Sequence, residues 1–329
     1  MEFRTMGRSG LKVSRACLGA MNFGTSADAP CNEADARTII DAFLDVGNNF
    51  IDTANIYTHG QSEEIVGRAV KGRRDKVVIA TKGRGPQGGG PNDAGLSRLH
   101  LTSALDASLK RLGVDWIDLY QVHFPDADTP IDETMDTLAG FVRAGKVRYI
   151  GCSNFTGSQI VEAQWAASRL KGVPFVSLQP RYSLIAREIE TDILPACGRQ
   201  GLGTLIYSPL GGGMLTGKYR QGQDPEPNTR FSRNAGWVAG ALSERNLRIV
   251  EEVKDVAAEL ATTPTAVSLA WCLSRNYVTC AIIGPRTLQQ LHDNLAGFQL
   301  VLPPETIKRL SDASRPGAEV RPLVPRRAA

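Results

Sequence analysis

Short apolar runs, rich in β-branched residues, recur along the chain and alternate with longer amphipathic stretches. Each run is apolar on both faces, which is typical of strands buried within a parallel sheet. Eight strands are predicted, at residues 16–19, 50–52, 77–80, 116–120, 147–151, 175–178, 203–207 and 279–283.

Between these runs, apolar residues return at the three- and four-residue spacing of a helix that buries one face. Leu101, Leu105 and Leu109 show this spacing, and Ser97 ahead of them is a residue type that caps helices. Seven helices are predicted, at residues 33–46, 97–112, 131–142, 156–170, 189–199, 243–260 and 288–296.

This alternation predicts a (β/α)8 barrel, the TIM-barrel fold, rather than a doubly wound sheet. The segment 19–24 also lacks the G-x-G-x-x-G pattern that a nicotinamide enzyme of the doubly wound class carries after its first strand. Residues 2–5 and 11–13 flank a glycine-containing turn and predict a β-hairpin that plugs the bottom of the barrel. Residues 82–95 and 208–240 predict long loops on the opposite face.

No linker divides the chain, so residues 1–329 are expected to form one barrel domain. Residues 314–329, rich in Pro and Arg, are expected to be a poorly ordered tail.

Composition narrows the function without identifying it. Hydrophobic residues make up 42% of the chain, charged residues 22%, and the net charge of +4 is too mild and too dispersed for a nucleic-acid surface. Neither a signal pattern nor an apolar stretch of about 18 residues occurs, so no membrane span is expected. The six cysteines form no C-x-x-C pair and no metal-ligand spacing. We expect a cytoplasmic monomer with reduced thiols and no metal.

Candidate chemistry lies where the predicted strands end, because the active sites of TIM barrels lie at the C-terminal ends of the strands. Asp52, Lys82 and His123 end three successive strands, and Tyr57 lies in an adjoining loop. Each alone has an ordinary structural explanation, but together they would meet at one opening. One histidine is too few for metal-dependent hydrolysis, and a glycosidase would need a second facing carboxylate, for which only Asp118 inside a strand is available.

Five segments resemble, in order, those of the aldo-keto reductase superfamily. They are residues 50–57, 61–67, 119–123, 145–154 and 283–294, and the likeness extends from about Phe3 to about Leu310. The resemblance implies a reductase of aldehydes or ketones. Tyr57 would be the general acid, Lys82 beside it would lower its pKa, Asp52 would pair with Lys82, and His123 would orient the carbonyl or share in a proton relay.

The resemblance also implies a site for NADPH. Ser153, Asn154 and Gln179 would hold the nicotinamide carboxamide, and Tyr207 would stack on its ring. Two further groups are implied for the pyrophosphate and for the adenosine: Ser208, Leu210, Gly213 and Lys218, and Gly284, Arg286, Gln290 and Asn294. Arg286 is the expected ligand of a 2′-phosphate, although the order Gly284-Pro285-Arg286 departs from the family's commoner Pro-Gly pattern.

The substrate is open at this point. His59, Phe124, Phe231 and Trp237 are the residues expected to shape its site, and the aromatic rings of Phe124, Phe231 and Trp237 suggest a bulky substrate. The resemblance implies that this substrate could be a polycyclic ketone, such as a trichothecene 3-keto compound, because some members of the family act on such compounds. Two alternatives remain: a nucleotide-sensing regulatory module resembling the β subunits of potassium channels, and a different TIM-barrel enzyme such as a hydrolase.

Overall fold

Eight parallel strands close into a barrel, as the sequence predicts. The computed structural model describes residues 2–25, 29–220, 222–227, 229–232 and 238–316. Its strands are β1 Phe3–Thr5, β2 Lys12–Ser14, β3 Ala16–Gly19, β4 Phe50–Asp52, β5 Val78–Gly83, β6 Ile117–Val122, β7 Val147–Ser153, β8 Ser177–Gln179, β9 Gly203–Ile206 and β10 Cys280–Ile283. Strands β3 to β10 pair in sequence order, and β10 closes the ring against β3.

Helices surround this barrel. They are α1 Glu33–Asp45, α2 Gln61–Val70, α3 Arg98–Leu112, α4 Ile131–Arg143, α5 Gly157–Arg169, α6 Ile193–Gln200, α7 Val238–Ala241, α8 Glu244–Glu259, α9 Pro264–Leu273, α10 Leu288–Ala296 and α11 Pro304–Ala313. Ser97 caps α3, and Thr156 forms a capping box with Gln159 at the start of α5. These caps fix where each helix leaves the rim of the barrel.

Some boundaries differ from the prediction. The helix expected from residue 189 begins at Ile193, because Glu188–Glu190 form a separate 3-10 turn. Within the segment 208–240, expected to be irregular, Gly211–Thr216 form 3-10 turns with positive φ angles at Gly212 and Gly213. Ser314, expected to begin the tail, is fully buried, and its hydroxyl donates to the carbonyl of Leu310. Residues 317–329 lie outside the described part of the chain.

The hairpin of β1 and β2 closes one end of the barrel. Met6 and Val13 are fully buried in the barrel interior, together with Phe50, Leu119 and Leu205. Gly7 is required here, because its φ is 56° and an added Cβ would lie 2.3 Å from the carbonyl oxygen of Gly201. The expected plug is therefore present.

Two apolar layers separate the strands from the helices and stabilise the barrel from outside. Across the described ranges, no single helix has the length and apolar character needed to cross a membrane. The bent pair α8 and α9 meets that test only when its two helices are counted together.

Candidate active site

The barrel register brings the predicted strand-end residues to one opening. Asp52, the last residue of β4, pairs with Gly19 and Ala80, and Lys82 in β5 pairs with Gln121 in β6. His123 follows β6 directly, and its amide donates to the carbonyl of Gly83 at 3.0 Å. Because neighbouring parallel strands end at the same edge, the three side chains belong to one site.

Lys82 is the centre of this cluster. Its side chain is fully buried, and its ammonium donates to Asp52 Oδ2 at 2.6 Å, to the Thr53 carbonyl at 2.8 Å and to Tyr57 Oη at 3.2 Å. Three acceptors match the three donors of an ammonium. Burial by itself lowers the pKa of Lys82, but the Asp52 carboxylate and Tyr57 outweigh it, so this pKa lies above its usual value. Lys82 is therefore charged at neutral pH.

Asp52 is held on its other side by two amides. Its Oδ1 accepts from Gln179 Nε2 at 2.8 Å and from Gln121 Nε2 at 3.2 Å. With Lys82 on Oδ2, the buried carboxylate is paired and hydrogen-bonded, which is the condition under which a buried charge is tolerated. Gln121 was not predicted, although it lies two residues from both Leu119 and His123 and so shares their face of the strand.

Tyr57 enters the site on a 3-10 turn rather than on a strand. The turn spans Tyr57–Gly60, and both Thr58 and His59 within it have positive φ angles of 45° and 56°. The ring remains partly accessible from the opening, while its hydroxyl meets Lys82. Burial raises the pKa of Tyr57 above its ordinary value, and the Lys82 ammonium opposes that rise. Lys82 thus acts in the expected direction, but the net pKa of Tyr57 is raised, and the phenol keeps its proton at neutral pH.

His123 lies beside Tyr57, with ring centroids 5.7 Å apart in an edge-on arrangement, and stacks on Phe124 at 5.0 Å. Burial lowers its pKa to about 3, with further lowering by the charges of Lys82 and Arg84. The imidazole is therefore neutral, and its buried Nδ1 has no hydrogen-bond partner among the described residues. A neutral imidazole can donate a hydrogen bond that positions an oxygen atom, but its N–H is too weak an acid to give up its proton at neutral pH.

The four residues expected around a nicotinamide are linked by hydrogen bonds. Tyr207 Oη donates to Asn154 Oδ1 at 2.9 Å, and Asn154 Nδ2 donates to Ser153 Oγ at 3.0 Å. Ser153 Oγ donates in turn to the carbonyl of Gln179 at 2.8 Å. Asn154 has a φ of 62°, a conformation that Asn tolerates better than most residues. The amide and hydroxyl groups of these four residues therefore form one hydrogen-bonded row that ends at Gln179, beside Asp52.

The residues expected around the phosphates form a positively charged region. Gly213 and Lys218 approach each other, since a Cβ at Gly213 would lie 3.1 Å from Lys218 Nζ. Burial lowers the pKa of Lys218, and Arg286 lowers it further. Arg230, which the sequence did not reveal, interacts with both Arg286 and Tyr57. The charge of Glu226 opposes this lowering of the Lys218 pKa. Each of these positive charges destabilises the charged form of its neighbours, and a bound polyphosphate would offset this repulsion. The region therefore fits the phosphates of a nucleotide.

The remaining expected residues are placed as follows. Ser208 has a φ of 53°, Leu210 precedes the 3-10 turns, and the Gly284 carbonyl accepts from Asn22 Nδ2 at 3.1 Å. Gln290 Oε1 accepts from the Arg286 amide at 2.9 Å, and Asn294 is buried at the end of α10.

The four residues expected to contact substrate behave differently from one another. Phe124 is 44% exposed and His59 is exposed, so both are accessible. Phe231 is instead buried at 2% exposure and stacks on Tyr219 at 4.3 Å, so it packs its own loop and offers no free apolar wall. Trp237 lies outside the described residues. Among the described residues, no three His, Cys, Asp or Glu side chains group as metal ligands would.

Comparison with known proteins agrees with this geometry. The sequence model described as "Aldo/keto reductase family" matches residues 15–315. The chain is 42% identical to "Uncharacterized oxidoreductase YrpG" of Bacillus subtilis, over 97% of this chain and 98% of that protein. It is 38% identical to a "Probable voltage-gated potassium channel subunit beta" of Arabidopsis thaliana, over 92% of each chain. It is 34% identical to "Versiconal hemiacetal acetate reductase" of Aspergillus parasiticus, over 97% of this chain and 98% of that protein.

Proposed function

Because the chain belongs to the aldo/keto reductase family, we propose that it reduces aldehydes or ketones to alcohols with NADPH, and that Tyr57 is the proton donor. The observation that supports this most directly is the Lys82 ammonium, held between the Asp52 carboxylate and the Tyr57 hydroxyl. An acid, a cation and a fixed anion in contact are the groups that protonation of a carbonyl oxygen requires.

In this proposal, bound NADPH supplies the hydride that reaches the carbonyl carbon. Tyr57 Oη gives its proton to the carbonyl oxygen, and the phenolate left behind is stabilised by the Lys82 ammonium. Asp52 keeps Lys82 charged and in place. His123 is neutral, so we assign it the role of orienting the carbonyl oxygen rather than that of a proton source.

We propose that the nucleotide lies along the rim from β7 to β10. Ser153, Asn154 and Gln179 would bind the carboxamide, and Tyr207 would lie against the nicotinamide ring. Ser208, Leu210, Gly213 and Lys218 would bind the pyrophosphate, and Gly284, Arg286, Gln290 and Asn294 the adenosine. Arg286 is our candidate for the 2′-phosphate, since a guanidinium forms paired hydrogen bonds with phosphate oxygens.

For the substrate, we propose a bulky or polycyclic ketone, with a trichothecene 3-keto compound as one member of that class. The exposed ring of Phe124 beside His123 supports an apolar contact at the opening. The relationship to a fungal protein named as a reductase of versiconal hemiacetal acetate is compatible with a large substrate. We propose that the exposed His59 contacts the same molecule.

We further propose that the chain acts as a single-domain monomer in the cytoplasm. The support for a reducing compartment is that all six cysteines are buried and unpaired.

The test is loss of reduced-nicotinamide absorbance with NADPH and, separately, NADH, against aldehydes and bulky ketones. Turnover should be lost in Tyr57→Phe while nucleotide binding persists, and full turnover in that variant would contradict the proton-donor role.

Coenzyme preference has its own test. Arg286→Gln should raise the Kd for NADPH by about ten- to a hundredfold, because a charge-assisted contact is worth roughly 1.5–3 kcal/mol, and should change the Kd for NADH little. The control is Arg37→Gln, which removes the same charge from the exposed side of α1 and should leave both Kd values unchanged.

A second candidate function is nucleotide-dependent regulation of a membrane partner, favoured by the relationship to a protein named as a potassium-channel β subunit. Tight NADPH binding without turnover on any carbonyl, together with a stable complex with a channel protein, would support it over the reductase.

A further inference from the structure

Arg84 is a cation beside the opening whose guanidinium has no hydrogen-bond partner among the described residues. It follows β5 directly, two residues after Lys82. Gly83 pairs with Val122, and the Gly83 carbonyl accepts from the His123 amide at 3.0 Å. Arg84 is therefore the next residue along this ladder and lies beside His123, at the edge where substrate must approach.

The backbone of Arg84 is held in an unfavourable conformation. Its φ is 128°, in the region that favours glycine. The carbonyl of Arg84 accepts from the Gly95 amide at 3.0 Å, and the following Gly85 packs so closely that a Cβ there would lie 2.1 Å from Ile56. Such a conformation costs about 1–3 kcal/mol and persists where the surrounding structure enforces it, commonly at functional sites.

The guanidinium is equally unusual. The side chain is partly buried, its Nε is shielded from solvent, and no described residue accepts a hydrogen bond from it. Asp126 feels the charge of Arg84, but it forms no ion pair with it. The Asp126 carboxylate instead accepts from the Leu96 amide at 2.8 Å, from Thr129 Oγ1 at 2.8 Å and from the Asp128 amide at 3.1 Å. Buried donors normally have a hydrogen-bond acceptor, so an unpaired one suggests a ligand that supplies the acceptor.

We propose that Arg84 binds an anionic oxygen group, a carboxylate or a phosphate, carried by the carbonyl substrate, and so determines specificity. This rests on the proposed function, since it concerns the substrate of the same site. Within the cluster, the charge of Lys82 is matched by Asp52 and His123 is neutral, so Arg84, which lies beside His123, is a cation available to the substrate. A planar guanidinium suits both anions, because it presents paired N–H donors to their oxygens.

The experiment compares charged and uncharged aldehydes of similar shape. The probes are 2-, 3- and 4-carboxybenzaldehyde against their methyl esters, and glyceraldehyde 3-phosphate against glyceraldehyde, all with saturating NADPH. The measured quantity is the ratio of kcat/KM for the charged member to that for its uncharged partner. We expect wild type to favour at least one charged member, and Arg84→Gln to lower that ratio tenfold or more. Arg84→Lys, which keeps the charge but loses the planar fork, should lower it less.

A matched control is Arg98→Gln, which removes the same charge from the exposed start of α3 and should leave every ratio unchanged. A higher kcat/KM for a carboxybenzaldehyde than for its methyl ester identifies carboxylate as the anion. A higher kcat/KM for glyceraldehyde 3-phosphate than for glyceraldehyde identifies phosphate. Thermal unfolding of each variant checks that the comparison is made on folded protein. Ratios that are the same in wild type and Arg84→Gln would overturn the inference while leaving the proposed function intact. If wild type reduces neither the esters nor any other carbonyl, the proposed function itself fails.

Discussion

Removing the ammonium of Lys82 should destabilise the whole protein, and removing Asp52 with it should restore much of the loss. In Lys82→Met, the Asp52 carboxylate, 2% exposed, keeps only the amides of Gln121 and Gln179. Breaking one partner out of a buried ion pair costs about 3–5 kcal/mol, because a charge remains in a medium that solvates it poorly. The double variant Asp52→Asn/Lys82→Met carries no such charge.

The magnitude converts into a measurable shift. With an unfolding entropy of about 2.1 cal/mol/K per residue over 329 residues, a loss of about 4 kcal/mol lowers Tm by roughly 6 °C. Thermal unfolding and urea titration of wild type, both single variants and the double variant complete a double-mutant cycle.

We expect the double variant to be at least 2 kcal/mol more stable than Lys82→Met, on the scale of coupling energies between groups in contact. A loss below about 1 kcal/mol in Lys82→Met, or a double variant no more stable than that single variant, would refute the view that these residues act as one buried pair.

Three further predictions follow from groups in or near the site. The kcat of carbonyl reduction should not fall as the pH is lowered from 8 to 5, because the pKa of His123 is about 3. It should decline only on the alkaline side, because the pKa of Tyr57 is raised above its usual value. An acid limb near pH 6.5 in the pH–rate profile would contradict the assignment of a neutral His123. The pKa of His123 is lowered on folding, so the unfolded chain takes up a proton first as the pH falls below about 6.5. Wild type should therefore lose roughly 4 kcal/mol of unfolding free energy between pH 6.5 and 3 that the His123→Phe variant keeps. Equal slopes of unfolding free energy against pH in the two proteins would disprove this. Tyr120→Phe should stabilise the protein by about 1 kcal/mol in urea titrations, because it removes a buried hydroxyl that has no hydrogen-bond partner among the described residues. The control is Tyr149→Phe, whose ring is partly exposed on β7 and whose substitution should change the unfolding free energy little. A loss of stability in Tyr120→Phe would show that the Tyr120 hydroxyl is hydrogen-bonded.

The barrel strands could be predicted because each is a short apolar run whose neighbours along the chain are also its neighbours in space. Ala16–Gly19 and Phe50–Asp52 match their predicted bounds, and β6 extends only two residues further than expected. The helices α2, α7, α9 and α11 were not predicted. Helix α9 is buried along nearly its whole length, so its apolar residues do not form the one-sided stripe that identifies a helix at the surface.

In the site, Asp52, Lys82 and His123 were predicted from strand ends and Tyr57 from an adjoining loop, whereas Gln121 and Arg84 near the same strand ends were not predicted. Asp52, Lys82 and His123 are placed by the regular pairing of β4 to β6, which the sequence pattern already implies. The charges of Arg84 and Arg230 reach His123 and Tyr57 from parts of the chain distant in sequence, and no local pattern of the sequence reports such proximity. Phe231 was expected to face substrate for the same reason: an aromatic residue in a loop does not reveal which side its ring will cover.

The hairpin that plugs the barrel also bears on how the chain is made. Arg4 Nη1 donates to the carbonyl of Val278, 274 residues later, and Gly7 fits only against β9. At a synthesis rate of about 5–20 residues per second, that partner emerges roughly 14–55 s after Arg4. The hairpin must therefore wait for the segment that precedes β10, and the apolar side chains of Met6 and Val13 stay uncovered until the ring closes. A chaperone that binds short apolar segments would therefore bind this chain at the hairpin of β1 and β2, at the end of the barrel opposite Lys82 and Tyr57.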